Sequence, residues 1–421
     1  MDSLYHSIVR SWPTTYIPPT DPVISHKPLS LYDSYQHARV LITQNSPSMY
    51  VCGITPYDAT HLGHASTYIS FDLIHRYLRY AHGETWFIEN ITDVDDPLLE
   101  RADRDKQDWR ELATSQIDLF ISDMSALRVL PPDSYAGVVE SMDRIIALVQ
   151  KHIESGLTYS LDGDIYLSLK LVPQLLNRLP MSETEALAIF RERGGDPERV
   201  AKHHPLDPLL WRSARAGEPS WRAPFGDGRP GWHVECVAIA LENLSSLHSN
   251  QPTSITIQGG GSDLIFPHHY MTAVQSESLT GKPFASAYVH AGMIGLDGEK
   301  MSKSKGNLVF VSQLLREGVE PVAIRAALML EHFQSDRMWR QSTLTESEDL
   351  ISRLRSSLSR EEVAPTASLI QSMVDALSDN LDTPKVFTLL RQWCESTEAG
   401  ETGGSAGALS RALDGYLGLA L

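Results

Sequence analysis

A strand, a turn, a helix and a second strand follow one another between residues 48 and 91, and this order most constrains the fold. "SMYVCGIT" and "TWFIENITDV" are short apolar runs typical of buried strands. Between them, "GHASTYISFDLIHRYLRYAHG" places Ile69, Leu73 and Leu78 at helical spacing and reaches Gly83, a residue that favours a helix C-terminus. Such a unit makes the two strands parallel, so we predict an α/β fold with functional groups at the carboxyl ends of its strands.

The rest of the chain indicates that this domain is split. From about residue 126 the pattern favours helices, and strand-like segments return at "SITIQGG" and "SAYVHAGMIGL". After "KMSKSKGNLV" the pattern favours helices alone, with linkers at "REEVAPTAS" and "STEAGETGGSAG". We therefore predict a Rossmann-like parallel-sheet catalytic domain, a helical insertion within it, and a C-terminal helical region. The predicted parts are 1–125 and 206–298 for the two halves, 126–205 for the insertion, 299–340 for the lysine-rich loop and linking fold, and 341–421 for the C-terminal bundle.

Composition indicates an ordinary soluble protein. The 421 residues are 42% hydrophobic and 21% charged, and the length allows two or three domains. Runs long enough to cross a bilayer are missing, and the N-terminus is too polar for a signal peptide, so we expect a cytoplasmic protein without membrane contact. Cys52, Cys236 and Cys394 are odd in number and far apart, which argues against a disulfide framework.

The charge of the chain argues against a nucleic-acid partner. The net charge is −17, from 36 basic and 53 acidic residues, and residues 341–421 alone hold 12 acidic and 6 basic side chains. Binding to a phosphate backbone depends largely on lysine and arginine, so this excess of acid opposes it. We expect small-molecule substrates and a monomer, although the sequence does not fix the oligomeric state.

The tetrapeptide His61-Leu62-Gly63-His64 lies where the first strand passes into the helix. Helix N-termini offer unpaired N–H groups to phosphates, and the two imidazoles have hydrogen-bonding nitrogens for the same ligand. Gly63 has no Cβ, so a base or ribose has room to approach the backbone there. The same four residues also fit two surface histidines in a turn.

A lysine-rich stretch, "GEKMSKSKGN", follows about a domain's length later. Cations at Lys300, Lys303 and Lys305 suit stabilisation of charge on a departing pyrophosphate, and the alternative is a solvated loop. Taken together, the H-x-G-H and K-M-S-K-S strings resemble the two sequence marks of class I aminoacyl-tRNA synthetases.

Two cysteines and a histidine are candidate metal ligands. Cys52 ends the first strand, Cys236 lies in "GWHVECVAIA", and "DLIFPHH" supplies His268 next to His269. Thiolates and imidazole are zinc ligands, and three protein ligands leave one tetrahedral position open, as in catalytic sites. Buried free cysteines also occur simply as small hydrophobic residues.

Five stretches together resemble cysteinyl-tRNA synthetases and their relatives, the mycothiol ligases. They are "YVCG", "NITDVDD", "GRPGWHVEC", "GGGSDLIFPHH" and "KMSKSKGN", and the resemblance is strong from about residue 48 to 307 and looser beyond. Ile54 and Pro56 match the ligase form, where the synthetase has Pro and Val. Pro97 replaces a usual lysine, and "ERGGDP" resembles a ligase motif.

One position near the candidate ligands also favours the ligase form. Thr272 stands where the synthetase has a glutamate as fourth protein ligand. Tyr270 departs from both patterns, since glutamate is expected there.

The resemblance implies an activity and a set of roles. The implied reaction is ATP-dependent ligation of L-cysteine to the amine of 1D-myo-inositol 2-amino-2-deoxy-α-D-glucopyranoside, through a cysteinyl-adenylate and with release of pyrophosphate and AMP. Cysteinyl-tRNA synthetase is the alternative. The implied metals are one zinc per chain, held by Cys52, Cys236 and His268 with the substrate thiolate in the open position, and Mg²⁺ on the leaving group.

Further residues match the family's catalytic and adenylate positions. His61 and His64 would hold the phosphates of ATP, and Lys300 and Lys303 would stabilise the transition state. The matching adenylate-binding residues are Cys52, Gly53, Ile54, Thr55, Thr67, Asn90, Ile91, Thr92, Trp232, Gly261, Ser262, Asp263 and Ile294. The run Asp93, Asp95 and Asp96 is interpreted as a hydrogen-bonding loop rather than a second metal site. A nucleotidylyltransferase and an inactive zinc-binding relative remain other classes that share some of these features.

Overall fold

The computed structural model describes residues 9–19, 23–247, 255–296, 298–301 and 306–421. No helix among these residues is both long and apolar enough to span a bilayer. The strands, in chain order, are β1 (Leu29–Asp33), β2 (Ala38–Ile42), β3 (Ser48–Val51), β4 (Trp86–Ile91), β5 (Ser134–Gly137), β6 (Thr158–Leu161), β7 (Asp164–Leu167), β8 (Leu209–Ser213), β9 (Gly228–Pro230), β10 (Ile255–Gly261), β11 (Ala285–Ala291), β12 (Ile294–Leu296), β13 (Glu299–Lys300) and β14 (Arg337–Trp339).

The helices connect these strands and form the C-terminal part of the chain. They are α1 (Leu62–His82), α2 (Asp96–Asp105), α3 (Trp109–Ala126), α4 (Met142–Glu154), α5 (Pro173–Leu176), α6 (Glu183–Glu192), α7 (Trp232–Leu247), α8 (Tyr270–Thr280), α9 (Val311–Arg316), α10 (Pro321–Ala327), α11 (Gln341–Leu358), α12 (Ala367–Ser378), α13 (Thr383–Glu398) and α14 (Ala406–Leu417).

A five-stranded parallel sheet with the order β11-β10-β3-β4-β5 forms the centre of the molecule. Nearly all of its residues are buried, which explains why these strands are continuous apolar runs rather than alternating ones. Because all five strands point the same way, their carboxyl ends meet at one edge. The predicted parallel-sheet α/β class is confirmed.

Helix α1 crosses from β3 to β4 and was predicted from its apolar spacing. The side chain of His61 caps its first turn, and Gly83 ends it at φ +78°, a conformation that favours glycine. Ile69, Leu73 and Leu78 are buried, as the spacing requires. The helix thus carries its N-terminus, with the His-Leu-Gly-His turn, to the carboxyl edge of the sheet.

The stretch between residues 126 and 205 is less helical than predicted. Helices α4 and α6 are present, but β5 joins the central sheet, and β6 and β7 form an antiparallel sheet with β8 and β9. The reason is the turn at Asp162 and Gly163, with φ of +53° and +88°, which closes a two-residue hairpin between β6 and β7. An Asp-Gly pair between short β-rich runs signals such a hairpin, and the helical interpretation missed it.

The part after residue 307 is almost entirely helical, with one exception. Strand β14 pairs in parallel with β12, so that Gly295 lies opposite Met338. Three residues are too few for a period to be visible in the sequence. The predicted linkers fall in the connections between α11 and α12 and between α13 and α14.

A buried ion network connects α1 to the C-terminal region. Asp72 on α1 pairs with Arg76 at 2.7 Å and also with Arg325 of α10, and all three side chains are fully buried. Arg76 donates to the backbone carbonyls of Asp414 and Gly415, and Arg325 donates to that of Leu417 at 2.6 Å. The end of α14 is therefore bonded to the helix that positions the His-Leu-Gly-His turn.

Candidate active site and metal centre

A pocket of about 480 Å³ opens at the carboxyl edge of the central sheet, where β3, β4 and β10 end. Ile91 is instead fully buried in the core, and Ser262 does not line the pocket in the described structure. The predicted site residues that line it are Cys52, Gly53, Ile54, Thr55, His61, His64, Thr67, Asn90, Thr92, Trp232, Cys236, Gly261, Asp263, His268 and Ile294.

The predicted catalytic lysines are not placed by the structure. Lys303 lies outside the described residues, and for Lys300 only the backbone, at the end of β13, is described. Met301, directly after Lys300, and Leu308, three residues after Lys305, both line the pocket. The described residues on both sides of positions 302–305 therefore reach the pocket.

Cys52, Cys236 and His268 form a compact buried group at the base of the pocket. Their ligand atoms all lie within 4.8 Å of one another. They come from the end of β3, the first turn of α7, and the short turn Ile265–His269 before α8. Two thiols and one imidazole at this spacing fit zinc, because these are the soft and borderline donors that zinc prefers.

The protonation of the two thiols is coupled. Burial raises the pKa of Cys52, whereas the hydrogen bond from Cys52 lowers the pKa of Cys236. One proton therefore leaves the pair more easily than the second. A bound metal would take the place of the second proton, because cysteine binds metal ions as the thiolate.

Several buried side chains that sequence reasoning missed surround this group. His269 lies 3.2 Å from the Cys52 sulfur through Nε2, and Gln258 donates to the same sulfur at 3.4 Å. His290 contacts the other nitrogen of His269 at 2.7 Å, and His233 lies 3.0 Å from His268. These contacts orient the candidate ligands. The pair of adjacent histidines was the only available sequence signal, and it did not indicate which ring faces which cysteine.

The His-Leu-Gly-His turn is held together by its first histidine. Nδ1 of His61 accepts a hydrogen bond from the Gly63 amide at 3.1 Å, and the rings of His61 and His64 stack with centroids 3.8 Å apart. A Cβ on Gly63 would lie 2.8 Å from the His61 ring. The packing of the imidazole is thus a reason for glycine at this position that the sequence did not reveal, and the approach of a base or ribose to the Gly63 backbone, which lines the pocket, stays a prediction.

Backbone contacts join this turn to the chain that follows the lysine-rich segment. The Leu62 amide donates to the Val309 carbonyl at 2.9 Å, and the Val311 amide donates to the Thr60 carbonyl at 3.1 Å. His61 and Phe310 form an isolated antiparallel bridge. The His-Leu-Gly-His turn is thus a direct neighbour of residues 309–311, which follow the lysine-rich stretch in the chain.

The glycines of β10 allow close packing next to the pocket. A Cβ on Gly259 would lie 2.3 Å from the ring of Phe71, and one on Gly260 would lie 2.9 Å from His269. Asp263, which follows the strand, pairs with Arg193 at 3.6 Å. The glycine run is therefore part of a strand against which α1 packs closely.

Sequence comparison places the chain among known proteins. The family described as tRNA synthetases class I (C) catalytic domain matches residues 39–349. A protein of Streptomyces griseus, the L-cysteine:1D-myo-inositol 2-amino-2-deoxy-alpha-D-glucopyranoside ligase, is 47% identical over 419 residues, with 98% of this chain and all of the relative covered. Proteins with the same name from Streptosporangium roseum and Nocardia farcinica are 48% and 47% identical over the same share of both chains. The chain belongs to this ligase family.

Solved structures agree on the fold. Mycobacterium tuberculosis methionyl-tRNA synthetase with methionyl-adenylate has a TM-score of 0.62 at 16% identity, with 89% of both chains covered. The leucyl-tRNA synthetase of Agrobacterium radiobacter K84, in a ternary complex with tRNA, has a TM-score of 0.63 at 12% identity, with 90% of this chain and 84% of the other covered. At these identities the likeness is one of fold alone, and it confirms the expected class I synthetase architecture.

Two side chains in α8 account for departures noted in the sequence. The Thr272 hydroxyl donates to the carbonyl of His268 at 2.7 Å, so it stabilises the turn that carries the candidate ligand. The Tyr270 hydroxyl donates to the Leu175 carbonyl at 2.9 Å and connects α8 to α5. Both hydroxyls therefore donate to backbone carbonyls.

The Asp93-Asp95-Asp96 run has partners from the chain itself. Asp93 accepts from the Val139 amide at 3.0 Å, Asp95 caps α2, and Asp96 pairs with Arg212 at 3.0 Å. Burial raises the pKa of Asp93 to about 7 and that of Asp95 to about 6. These contacts support the interpretation of the run as a hydrogen-bonding loop.

A second, larger cavity of about 1080 Å³ adjoins the first and was not predicted. It lies between α2, the end of α6 and the strands β7 to β9, and it shares Thr55, Tyr57 and Trp232 with the first pocket. Trp232 stacks on His268 with ring centroids 4.4 Å apart. The wall between the two cavities is thus next to the candidate metal group.

Proposed function

We propose that the chain forms cysteinyl-adenylate in the pocket at the sheet edge and transfers the cysteinyl group to the amine of 1D-myo-inositol 2-amino-2-deoxy-α-D-glucopyranoside. As a member of the ligase family it is an ATP-dependent, amide-forming enzyme of mycothiol biosynthesis. The observation that carries the site assignment is the buried Cys52–Cys236–His268 group inside a pocket that begins at the N-terminus of α1.

The three donors fit one zinc per chain, with His268 and two thiolates as protein ligands. Zinc held there would favour a thiolate over a hydroxyl as its further ligand, which would separate cysteine from serine. The chain itself supplies the orientation of the donors: Gln258 donates to Cys52, and Trp232 stacks on His268. His61 and His64 line the same pocket as the three donors, so that a cysteine bound there would share the pocket with both imidazoles.

The nucleotide part of the proposal rests on the end of α1. His61 caps its first turn, His64 lies within that turn, and both line the pocket, so the positive end of the helix dipole and two imidazoles are available to a phosphate. The cysteine carboxylate attacks the α-phosphorus of ATP, and the bond between that phosphorus and the bridging oxygen of pyrophosphate breaks with its electron pair on pyrophosphate. Mg²⁺ would neutralise part of the charge on this leaving group. Lys300 and Lys303 are proposed to stabilise this leaving group, because the described residues on both sides of positions 302–305 reach the pocket.

The choice of acceptor is the direct test. Purified chain is given ATP and L-cysteine with either glucosaminyl-inositol or cysteine tRNA, and the amide, AMP and charged tRNA are measured. We expect amide formation with the sugar and only background charging of tRNA. Efficient charging of tRNA, without amide formation, would overturn the proposal and favour a cysteinyl-tRNA synthetase.

The setting of the reaction is part of the proposal as well. We propose a cytoplasmic monomer that acts on small molecules without nucleic acid. The acidic excess in the chain and three free cysteines support this.

A further inference from the structure

The larger cavity has walls of mixed charge and aromatic rings. Its lining includes seven carboxylates and five arginines, with Tyr57, Tyr166 and Trp232. Paired carboxylates and guanidinium groups bind vicinal hydroxyls through several hydrogen bonds, and aromatic rings pack on sugar faces. A net acidic wall favours a cationic ligand over an anionic one. The chemistry of this cavity therefore fits a polyhydroxylated amine.

Most of the acidic groups in this wall are already paired with cations. Asp96 pairs with Arg212, Asp164 with Arg199, and Asp196 with Lys202. Asp95 differs from these three residues, because among the described residues its Oδ1 accepts a hydrogen bond from the Asp96 amide and the side chain has no ion pair. A carboxylate without an ion pair, in a wall of ion pairs, is free to serve a cationic ligand.

The position of Asp95 is also distinctive. It lines the large cavity together with Thr55, Tyr57 and Trp232, which also line the smaller pocket. Glu100 and Glu192 have no ion pair in the described structure either, but both are exposed. Asp95 is thus the least exposed of the three carboxylates in this cavity that lack an ion pair.

We propose that this cavity binds the amino-polyol acceptor, and that the Asp95 carboxylate receives a proton from its amine. This inference rests on the proposed function, which needs an acceptor next to the adenylate. The ammonium gives one proton to Asp95, and the freed lone pair forms a bond to the carbonyl carbon of the adenylate. The carbonyl–oxygen bond to AMP then breaks with its electron pair on AMP, and the second proton of the attacking nitrogen leaves to water.

Two of the features that separated the ligase form from the synthetase form in the sequence lie in this same cavity. Pro97 and the segment 192–196 of "ERGGDP" line it, whereas Ile54 lines the smaller pocket. Residues common to both forms, such as His61 and Cys236, also line the smaller pocket. The placement of Pro97 and of 192–196 is expected if the two enzymes differ in the acceptor.

The test uses Asp95→Asn, which keeps the capping of α2 because asparagine caps helices as well as aspartate. Cysteine-dependent ATP–pyrophosphate exchange reports the first step, and amide formation with glucosaminyl-inositol reports the second. We expect exchange within about twofold of wild type, and kcat for amide formation lower by about 100-fold or more, the usual effect of losing a general base. Asp108→Asn, at the exposed cap of α3, is the matched control and should change neither rate.

Two results would overturn the role of Asp95. Amide formation at the wild-type rate would exclude it as proton acceptor, and an equal loss in exchange and amide formation would make it structural. A wild-type enzyme that exchanges pyrophosphate but forms no amide with glucosaminyl-inositol would instead defeat the proposed function.

A second variant tests the cavity independently of Asp95. Pro97→Lys places a cation on the exposed rim of the cavity. We expect a KM for the amine acceptor raised at least fivefold and an unchanged exchange rate, while Thr114→Lys, which adds the same charge on the exposed face of α3 away from both cavities, leaves both near wild type. An unchanged KM for the acceptor in Pro97→Lys would contradict binding in this cavity.

Discussion

At Gly63 a single missing Cβ decides the geometry of a candidate catalytic residue. The imidazole of His61 occupies the space in which a side chain at position 63 would lie. Its Nδ1 also accepts a hydrogen bond from the Gly63 amide. The sequence indicated that a glycine belongs in this turn, but the identity of its neighbour depends on a side-chain rotamer. Periodicity and spacing carry no information on rotamers, so this contact was beyond prediction.

Gly63→Ala should therefore impair nucleotide chemistry without loss of fold. The added methyl group displaces the His61 ring, so we expect kcat/KM for ATP in pyrophosphate exchange to fall about 10-fold or more, whereas alanine within a helix stabilises by up to about 1 kcal/mol. Exchange kinetics and thermal unfolding measure the two effects.

Gly407→Ala, in the first turn of α14, is the control for replacing a helical glycine with alanine. Its Cβ would meet only the end of the Arg411 side chain, at 3.4 Å, and activity should remain at the wild-type level. Wild-type exchange in Gly63→Ala would show that the His61 position is unimportant.

Among the elements, those with a strong period were predictable and those fixed by pairing were not. The unit β3–α1–β4 was predicted with its end at Gly83, and "SITIQGG" is β10. Strand β14 and the hairpin of β6 and β7 were missed. Short strands are stabilised by partners distant in sequence, and one sequence does not reveal the partner. The position of Gln258 and His290 around the metal group was hidden for the same reason.

The buried ion network between α1, α10 and α14 gives a stability prediction at this scale. Arg325→Met leaves the Leu127 and Leu417 carbonyls without their donor and removes one of the two cations that pair with Asp72. We expect the free energy of unfolding to fall by about 3 to 5 kcal/mol, as for other broken buried pairs. Urea unfolding, followed by circular dichroism, measures it.

The comparison for this prediction is Arg355→Met, which removes a solvent-exposed pair with Glu320. Exposed pairs contribute about 1 kcal/mol or less, so the two variants should differ clearly. Equal losses would mean that the buried network contributes no more than a surface pair.

At the scale of the whole molecule, composition excluded some classes of protein, whereas the arrangement of the cavities is visible only in the structure. The −17 net charge agrees with the ligase family and with a cavity whose wall is acidic. The larger cavity joins residues from 55 to 267, and no linear pattern marks such a set. The domain boundaries remain predictions, as do the roles of the two lysines in the segment 300–305.

The pH dependence of stability follows from buried carboxyl groups such as Asp93. Its folded-state pKa of about 7 lies above the unfolded value of about 4. Between these values the folded protein binds more protons than the unfolded chain, so the contribution of Asp93 to stability falls as the pH rises and is fully lost above about 7.

Asp93→Asn should remove this part of the pH dependence. Between pH 5 and pH 7, the free energy of unfolding of the wild type should fall by about 2 kcal/mol more than that of Asp93→Asn. Urea titrations at both pH values measure it, with Asp103→Asn on the exposed face of α2 as control. The same fall in Asp93→Asn as in wild type would refute the assignment.

The bonds from Arg76 and Arg325 to the carbonyls near the end of α14 also limit how this enzyme can have diverged. Two buried guanidinium groups donate to the main-chain oxygens of Asp414, Gly415 and Leu417. Replacing the last helix with an unrelated one would therefore leave buried charges in the core without these hydrogen-bond acceptors. Backbone carbonyls accept these bonds whatever the side chain of their residue. Substitutions on the exposed face of α14 therefore leave the bonds intact, whereas an insertion within the helix would move all three carbonyls away from the two arginines.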